Sequence, residues 1–237
     1  MQVKELTRME EFERCVELQR KEWGWNDLNI VPVRSFVVIA NIGGLTLGAV
    51  VDNKVIGFIN TLPGIRDGSP YWYSRMLGVD RGFWGQGVGT ALKRAQRAHA
   101  VRRGVTLIEW TFDPLESKNA YLNLEKLGVI VKRYYVDHYG DTGSDVQGGL
   151  ASDRLMAEWW LNKPRLKVGL ERRHVTIPSQ MQEIKNRDFR EARRIQERVR
   201  RELNKHIGDG YIVVGFNRLK KEGRYVLVPE TAPVYET

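Results

Sequence analysis

The stretch that decides the fold is Tyr71-Trp72-Tyr73-Ser74-Arg75-Met76-Leu77-Gly78-Val79-Asp80, then Arg81-Gly82-Phe83-Trp84-Gly85-Gln86-Gly87-Val88-Gly89-Thr90, then Ala91-Leu92-Lys93-Arg94-Ala95-Gln96-Arg97-Ala98-His99-Ala100-Val101-Arg102-Arg103-Gly104. Its first third is aromatic and apolar without a helical period and follows Gly68 and Pro70, which predicts a buried strand. In the last third Val88, Ala91, Leu92, Ala95 and Ala98 fall at helical spacing, and basic Arg102 and Arg103 precede Gly104. That pattern predicts an amphipathic helix with a glycine stop. Between them, Gly82, Gly85, Gly87 and Gly89 allow a tight turn and a close approach to something large. The open N–H groups of the helix start then form an anion site. The turn lacks the Gly-Lys-Ser/Thr ending of a nucleotide P-loop, and its alternating glycines do not follow the first strand of a βαβ unit as a dinucleotide fingerprint would.

Trp84-Gly85-Gln86-Gly87-Val88-Gly89-Thr90-Ala91-Leu92 resembles the pyrophosphate loop of the GNAT superfamily, the acyl-CoA-dependent N-acyltransferases, whose usual form is Arg-Gly-x-Gly-Ile-Gly-x-x-Leu. Trp84 stands where that family has Arg or Gln. The resemblance implies that backbone N–H groups of residues Gly85, Gln86, Gly87, Val88, Gly89 and Thr90 hold the pyrophosphate of acetyl-CoA, or of another acyl-CoA such as succinyl-CoA. Arg81, Lys93 or Arg94 would add charge. It also implies that pantetheine enters a gap between the strand at 74–79 and the strand at 105–112, held by backbone groups of Met76, Leu77 and Val79. The segment from Ser117 to Gly128 is similar to the family's Asn-x-x-Ala-x-x-x-Tyr-x-x-x-Gly. Ala120 and Gly128 match, Ser117 takes the Asn slot, and Leu124 takes the slot of the tyrosine credited with protonating the thiolate. Asn119 and Asn123 are then cofactor contacts and Tyr121 the nearby acid, with solvent or another group as the alternative.

With 42% apolar residues and 10% aromatics, 237 residues suffice for a packed core, either one large domain or a domain with an extension. A single cysteine excludes an internal disulfide, and Cys15 lies on an apolar helix face with Phe12, Val16, Gln19 and Trp23, where a buried, inert thiol is expected. No signal peptide or membrane-spanning apolar run is read, so the expectation is a cytoplasmic protein with no membrane partner. The net charge of +9 is concentrated near the end: residues 162–237 hold 18 Lys plus Arg against 10 Asp plus Glu. A solvated helix face is the favoured reading, and nucleic acid, an acidic partner or coenzyme A phosphates are the alternatives.

Taken in order, residues 2–6 alternate as a strand. Thr7-Arg8-Met9-Glu10 has capping-box spacing ahead of a helix at 12–23, and the segment to Asn41 is mixed. Residues 45–51 and 55–62 form a hairpin, 63–70 a loop, 105–112 a strand closed by Pro114, 117–127 a short helix, 130–138 a strand, 140–149 a glycine loop and 153–161 a strand. The predicted class is α+β, a mixed and mostly antiparallel sheet flanked by helices, in the GNAT order. Residues 1–162 form the acyltransferase domain. Residues 163–237 are a basic α+β extension, a helix capped by Asp188 followed by a hairpin at 211–216 and 224–228, packed on the first block or supporting a homodimer.

Acyl transfer to an amine needs a base, an oxyanion donor and an acid for the leaving thiolate. Asp113 and Glu109 are the carboxylates best placed as base, Asp113 doubling as a turn residue. Arg75 is read as a partner of Glu109 or as a carboxylate or phosphate clamp. Arg34, His138 and Arg154, with Trp23 and Trp25, are candidate acceptor contacts, although the tryptophans equally suit packing and Asp153-Arg154 a local ion pair. The run 110–128, with Arg133-Tyr134-Tyr135 followed after three residues by Tyr139-Gly140, and with Asp153-Arg154-Leu155, is similar to a bacterial branch of predicted acetyltransferases carrying such an extension. Some GNAT members encoded near N-acylamino acid racemases are N-succinyltransferases of amino acids. The expected activity is therefore acetyl transfer to a primary amine by direct attack, without metal or covalent enzyme intermediate. The acceptor is a small-molecule amine or amino acid, or a protein. Succinyl transfer to an amino acid is the rival, and an acyl-CoA sensor or nucleic-acid binder the reading from another class.

Overall fold

The computed structural model describes residues 1–25, 27–141, 147–163, 166–167, 171–231 and 234–235. The chain forms two compact units, one from Met1 to Trp110 and one from Thr111 onward. In the first, β1 (Gln2–Glu5), α1 (Met9–Trp23), α2 (Val33–Asn41), β2 (Leu45–Val51), β3 (Lys54–Arg66), β4 (Ser69–Val79), a 3-10 turn (Arg81–Phe83) and α3 (Val88–Arg102) lead to β5 (Leu107–Phe112). The sheet order is β1-β2-β3-β4-β5, antiparallel except for the parallel pair β4–β5.

Two corrections concern local signals. The start of α1 is set by Glu11, not by a Thr7–Glu10 box: its carboxylate accepts from the N–H groups of Thr7 (3.0 Å) and Arg8 (3.1 Å). Burial pushes that carboxyl up, but hydrogen bonds from Lys4, Arg8 and Thr7 outweigh it and hold the pKa near about 2. The expected loop at 63–70 is mostly strand. β3 and β4 run on to a two-residue turn at Asp67 (φ 50°) and Gly68 (φ 74°), an Asp-Gly hairpin signal. Pro63 is tolerated because the β2 ladder ends at Thr61, leaving no neighbour on that side to require its missing N–H.

Phe12, Cys15 and Leu18 of α1 and Phe36 of α2 pack with Phe58 and Met76 of the sheet. Trp23 and Trp25 stack at 4.6 Å and join that cluster, so both are packing residues. The Cys15 thiol is buried there and burial pushes its pKa up, in keeping with an inert group.

The second unit contains α4 (Ser117–Ala120), a π-helical turn (Tyr121–Lys126), β6 (Ile130–Tyr135), β7 (Arg154–Trp160), β8 (Leu166–Lys167), β9 (Arg173–Pro178), α5 (Met181–Arg187), α6 (Phe189–Gly208), β10 (Tyr211–Arg218), β11 (Glu222–Pro229) and β12 (Val234–Tyr235). Its sheet order is β7-β6-β10-β11-β9. The hairpin of the extension adds to the edge of β6 through Val213 and Val131, and β9, which the sequence did not suggest, closes the far side. Asp188 caps α6 as expected, accepting from Glu191 N–H at 3.0 Å. Of the glycine loop at 140–149, Gly143 lies outside the described residues, as does Pro164. Among the described residues no helix is long and apolar enough to cross a membrane.

Candidate active site

The turn between β4 and α3 is built from the outside in. Asp80 accepts from Gly82 N–H (3.2 Å) and is gripped by Lys21 (2.9 Å) and Arg14 (3.1 Å); the Lys21 hydrogen bond outweighs burial and keeps its carboxyl low. Trp84, 54% exposed, donates its indole N–H to the Val79 carbonyl at 2.7 Å, and the Gln86 amide donates to the Gly82 carbonyl at 3.1 Å. Gly85 (φ 77°) and Gly87 (φ 81°) adopt left-handed backbone, and a Cβ on either would meet nothing within 4 Å. Gly87 is the N-cap of α3, and Ala91 N–H bonds back to the Gly87 carbonyl at 3.0 Å. The N–H groups of Val88, Gly89 and Thr90 therefore precede the first intrahelical bond and point out of the helix start.

Beside this turn β4 carries a β-bulge. Asn60 pairs with Met76 and Thr61 with Ser74, which leaves Arg75 as the extra residue, its side chain exposed. The bulge reverses the pleat. Ser74 bonds to α3 through Lys93, whereas Met76 sits in the Phe12–Phe58 cluster with α1 and α2. Leu77 then returns to the α3 side, 3.6 Å from where a Cβ on Gly89 would stand. The β4–β5 ladder pairs Trp72 with Ile108 and Tyr73 with Glu109, and the segment from Ser74 to Val79 runs on past those rungs. Among the cations considered for the turn, Arg81 and Arg94 are exposed, but Lys93 is corrected: it is buried and turned to the sheet.

Glu109 is 3% exposed and held by Arg66, a partner the sequence did not suggest; Arg34 is exposed on the first turn of α2. In the second unit, Asp113 accepts from Leu115 N–H at 2.8 Å as a turn residue. Leu124 is fully buried, Asn123 is 4% exposed and Asn119 is exposed. Tyr121 has Lys126 and Arg218 each 5.5 Å from its ring and lines an open groove of about 500 Å³ with Glu125 and Asn217. His138 and Arg154 converge on Tyr139, the imidazole at 4.5 Å and the guanidinium at 5.3 Å, while Thr111 bonds the Tyr139 hydroxyl at 2.8 Å. The expected Asp153–Arg154 pair is replaced: Arg154 donates to the Asp153 backbone carbonyl (2.8 Å), and the Asp153 carboxylate binds Arg200 through two bonds of 2.8 and 2.9 Å.

The sequence model of the acetyltransferase (GNAT) family matches residues 8–128, more than half of the chain. The chain belongs to that family. No curated protein matches the sequence. Among solved structures, aminoglycoside 6'-acetyltransferase type Ii superposes with a TM-score of 0.54 at 18% identity, covering 68% of this chain and 97% of its own. The ribosomal-protein-S18-alanine N-acetyltransferase from Escherichia coli gives 0.54 at 15%, covering 72% and 97%. The NatC complex bound to Gag peptide and CoA gives 0.54 at 16%, covering 67% and 97%. At these identities the neighbours show the fold.

As a GNAT N-acetyltransferase the chain uses acetyl-CoA, and the residues present suit it. Two glycines with open space where a Cβ would stand, at a helix start whose N–H groups precede the first intrahelical bond, make a cradle that would suit a diphosphate. Sequence reasoning places Tyr139 within a family-like segment but gives it no site role, although it unites His138 with Arg154, and misses the polar cluster around Lys93. The Lys93 cluster carries no local signature, since it arises between a helix and distant strands, and at Tyr139 only the adjacent His138 is a sequence neighbour, Arg154 and Thr111 arriving from other segments.

Proposed function

We propose that the protein transfers an acetyl group from acetyl-CoA to a primary amine of a small molecule, by direct attack within a ternary complex in the cytoplasm. Residues 1–162 would do this work, with 163–237 as an appended basic segment. The reading rests chiefly on the open glycine cradle at Gly85 and Gly87. When bound, acetyl-CoA supplies a thioester carbonyl open to nucleophiles. Backbone N–H groups of residues 85–90 bind the diphosphate, with Arg81 and Arg94 adding charge. Those of Met76, Leu77 and Val79, beyond the bulge, orient the acyl arm and provide an oxyanion donor. The carboxylate oxygen of Asp113 not engaged by Leu115 takes the amine proton, while Glu109 is occupied by Arg66. With Leu124 in the tyrosine slot, Tyr121 is the candidate proton donor, and Asn119 and Asn123 contact the cofactor.

For the acceptor we favour the Tyr139 cluster, where His138 and Arg154 suit an amine that also carries a carboxylate. The neighbours include enzymes named for an aminoglycoside and for a protein alanine, so the amine panel needs both classes. Thiol release from acetyl-CoA and succinyl-CoA should be measured against amino acids, aminoglycosides and peptides, with calorimetry for the CoA esters. We expect acetyl-CoA binding and turnover with an amine-bearing small acid. Binding of the ester without thiol release for any amine favours a sensor, and absence of heat with every CoA ester overturns the reading.

A further inference from the structure

α3 seals four polar side chains against the sheet that the reaction outlined above does not use. Lys93 is 2% exposed, Gln96 and Thr61 are fully buried, and Ser74 is 5% exposed. Lys93 Nζ donates to Ser74 Oγ at 3.0 Å and to Gln96 Oε1 at 3.3 Å, and it lies 3.3 Å from the centroid of the Trp110 ring. Gln96 Nε2 donates to Thr61 Oγ1 at 2.7 Å. Buried polar groups left without such partners would cost stability, so the four form a set in which each answers another.

What they hold is specific. Thr61 and Ser74 face each other across the β3–β4 ladder, on the last rung before Arg75 is squeezed out as the bulge. Lys93 and Gln96, three residues apart and so on one helix face, grip both sides of that rung at once. The same helix begins at Gly87, the cap of the glycine turn, six residues and about 9 Å of helix rise before Lys93. One rigid element thus spans from the glycine cradle to the rung that fixes where the pleat reverses. A bulge leaves a residue unpaired and locally disrupts the ladder, and an apolar contact would define its position only loosely.

We propose that Lys93 and Gln96 are positioning residues that lock the β4 bulge in register with the glycine cradle, so that the backbone N–H groups after Arg75 face the acyl carbonyl. This rests on the acetyl-transfer reading for its consequence, but not for its geometry. The test compares Lys93→Met, Gln96→Leu, Ser74→Ala and Ser74→Thr with the parent chain. In the free protein, amide exchange by mass spectrometry over residues 75–78 should quicken by about tenfold or more in Lys93→Met and Gln96→Leu, while α1 and β2 keep parental rates. With acetyl-CoA and an accepted amine, kcat should fall by about tenfold or more, and the calorimetric Kd for coenzyme A should stay within about twofold. Ser74→Thr, which keeps the hydroxyl, should restore most of kcat, and Ser74→Ala should not.

Parental exchange at 75–78 together with parental kcat in both α3 variants overturns the proposal. So does a uniform rise in exchange across α1, β2 and β4, with kcat and Kd changing together, because that marks general loosening. If the parent chain itself fails to bind any CoA ester, the acetyl-transfer reading falls, while exchange in the free protein still decides the clamp.

Discussion

Each unit buries an ionisable network, and the two handle desolvation differently. In the first, Lys93 is enclosed with a hydroxyl, an amide oxygen and an indole face, and burial pushes its pKa well below the usual lysine range. In the second, buried Asp153 meets Arg200 in a two-bond pair and accepts from Tyr134 O–H (2.5 Å) and Asp137 N–H (3.0 Å). Its hydrogen bond pushes the Arg200 pKa up, ahead of the opposing effect of burial. One network disfavours its charge through burial and the other compensates a charge with a partner. The charged pair ties α6 to the turn before β7, which is an anchor. The lysine cluster sits at a bulge, where its task is to fix geometry.

The largest effect expected from breaking this contrast is at Asp153. Asp153→Ala should cost about 3–5 kcal/mol in denaturant unfolding, because Arg200 is left without its anion. Adding Arg200→Met should recover part of that loss. If the pair contributes nothing, the two networks are alike and the comparison fails.

Glu11 uses the same remedy as Asp153 and supplies a pH test. Its folded pKa of about 2 lies below the ordinary 4.5, so its contribution is complete above pH 4.5 and disappears as pH falls towards 2. That contribution amounts to about 3 kcal/mol. Acid titration of stability should therefore be flatter by about that amount in Glu11→Gln than in the parent.

Lys93 should show a rise of the same sign, at the alkaline end. The unfolded chain protonates this amine below 10.5 while the folded chain releases the proton, so folded stability rises with pH between the lowered folded pKa and 10.5. The slope is about 1.4 kcal/mol per pH unit, and Lys93→Met should abolish it. A parent chain with no such slope would mean that the lysine is charged after all. The smallest effect is expected at Gly87, where Ala in left-handed backbone costs about 1–2 kcal/mol. Calorimetry should nevertheless show weaker coenzyme A binding, since the new methyl projects into the open space of the cradle.

The fold was readable where structure is local. The glycine turn, α3 with its stop at Gly104, the Asp188 cap and both hairpins followed from spacing and turn chemistry. The Asp67-Gly68 turn was equally local, but Pro63 and Pro70 masked it. The site was less readable. The turn role of Asp113 is legible before Pro114, and Leu124 shows as a departure from the family pattern. The sequence offers Lys93, with Arg81 and Arg94, as a charge for the turn, and its neighbours Arg94 and Arg97, both exposed helix cations, do not mark it as inward. Only its position one residue after Leu92, on the inward face, could have hinted otherwise. Arg200 and Asp153 are too far apart in sequence for any pattern to join them.

The amino-acid sequence by itself determined the backbone at the glycine turn: glycines at 85 and 87 take left-handed angles freely, and the apolar spacing after them makes one helix face sticky. Those are preferences of single residues and neighbouring turns. The tertiary structure alone decided that Arg75 bulges out, that Lys93 turns inward, that β10 extends the sheet at β6 and that Arg200 answers Asp153. Each of these depends on which distant strand or helix arrives alongside, and packing and desolvation settle that only when the chain is assembled.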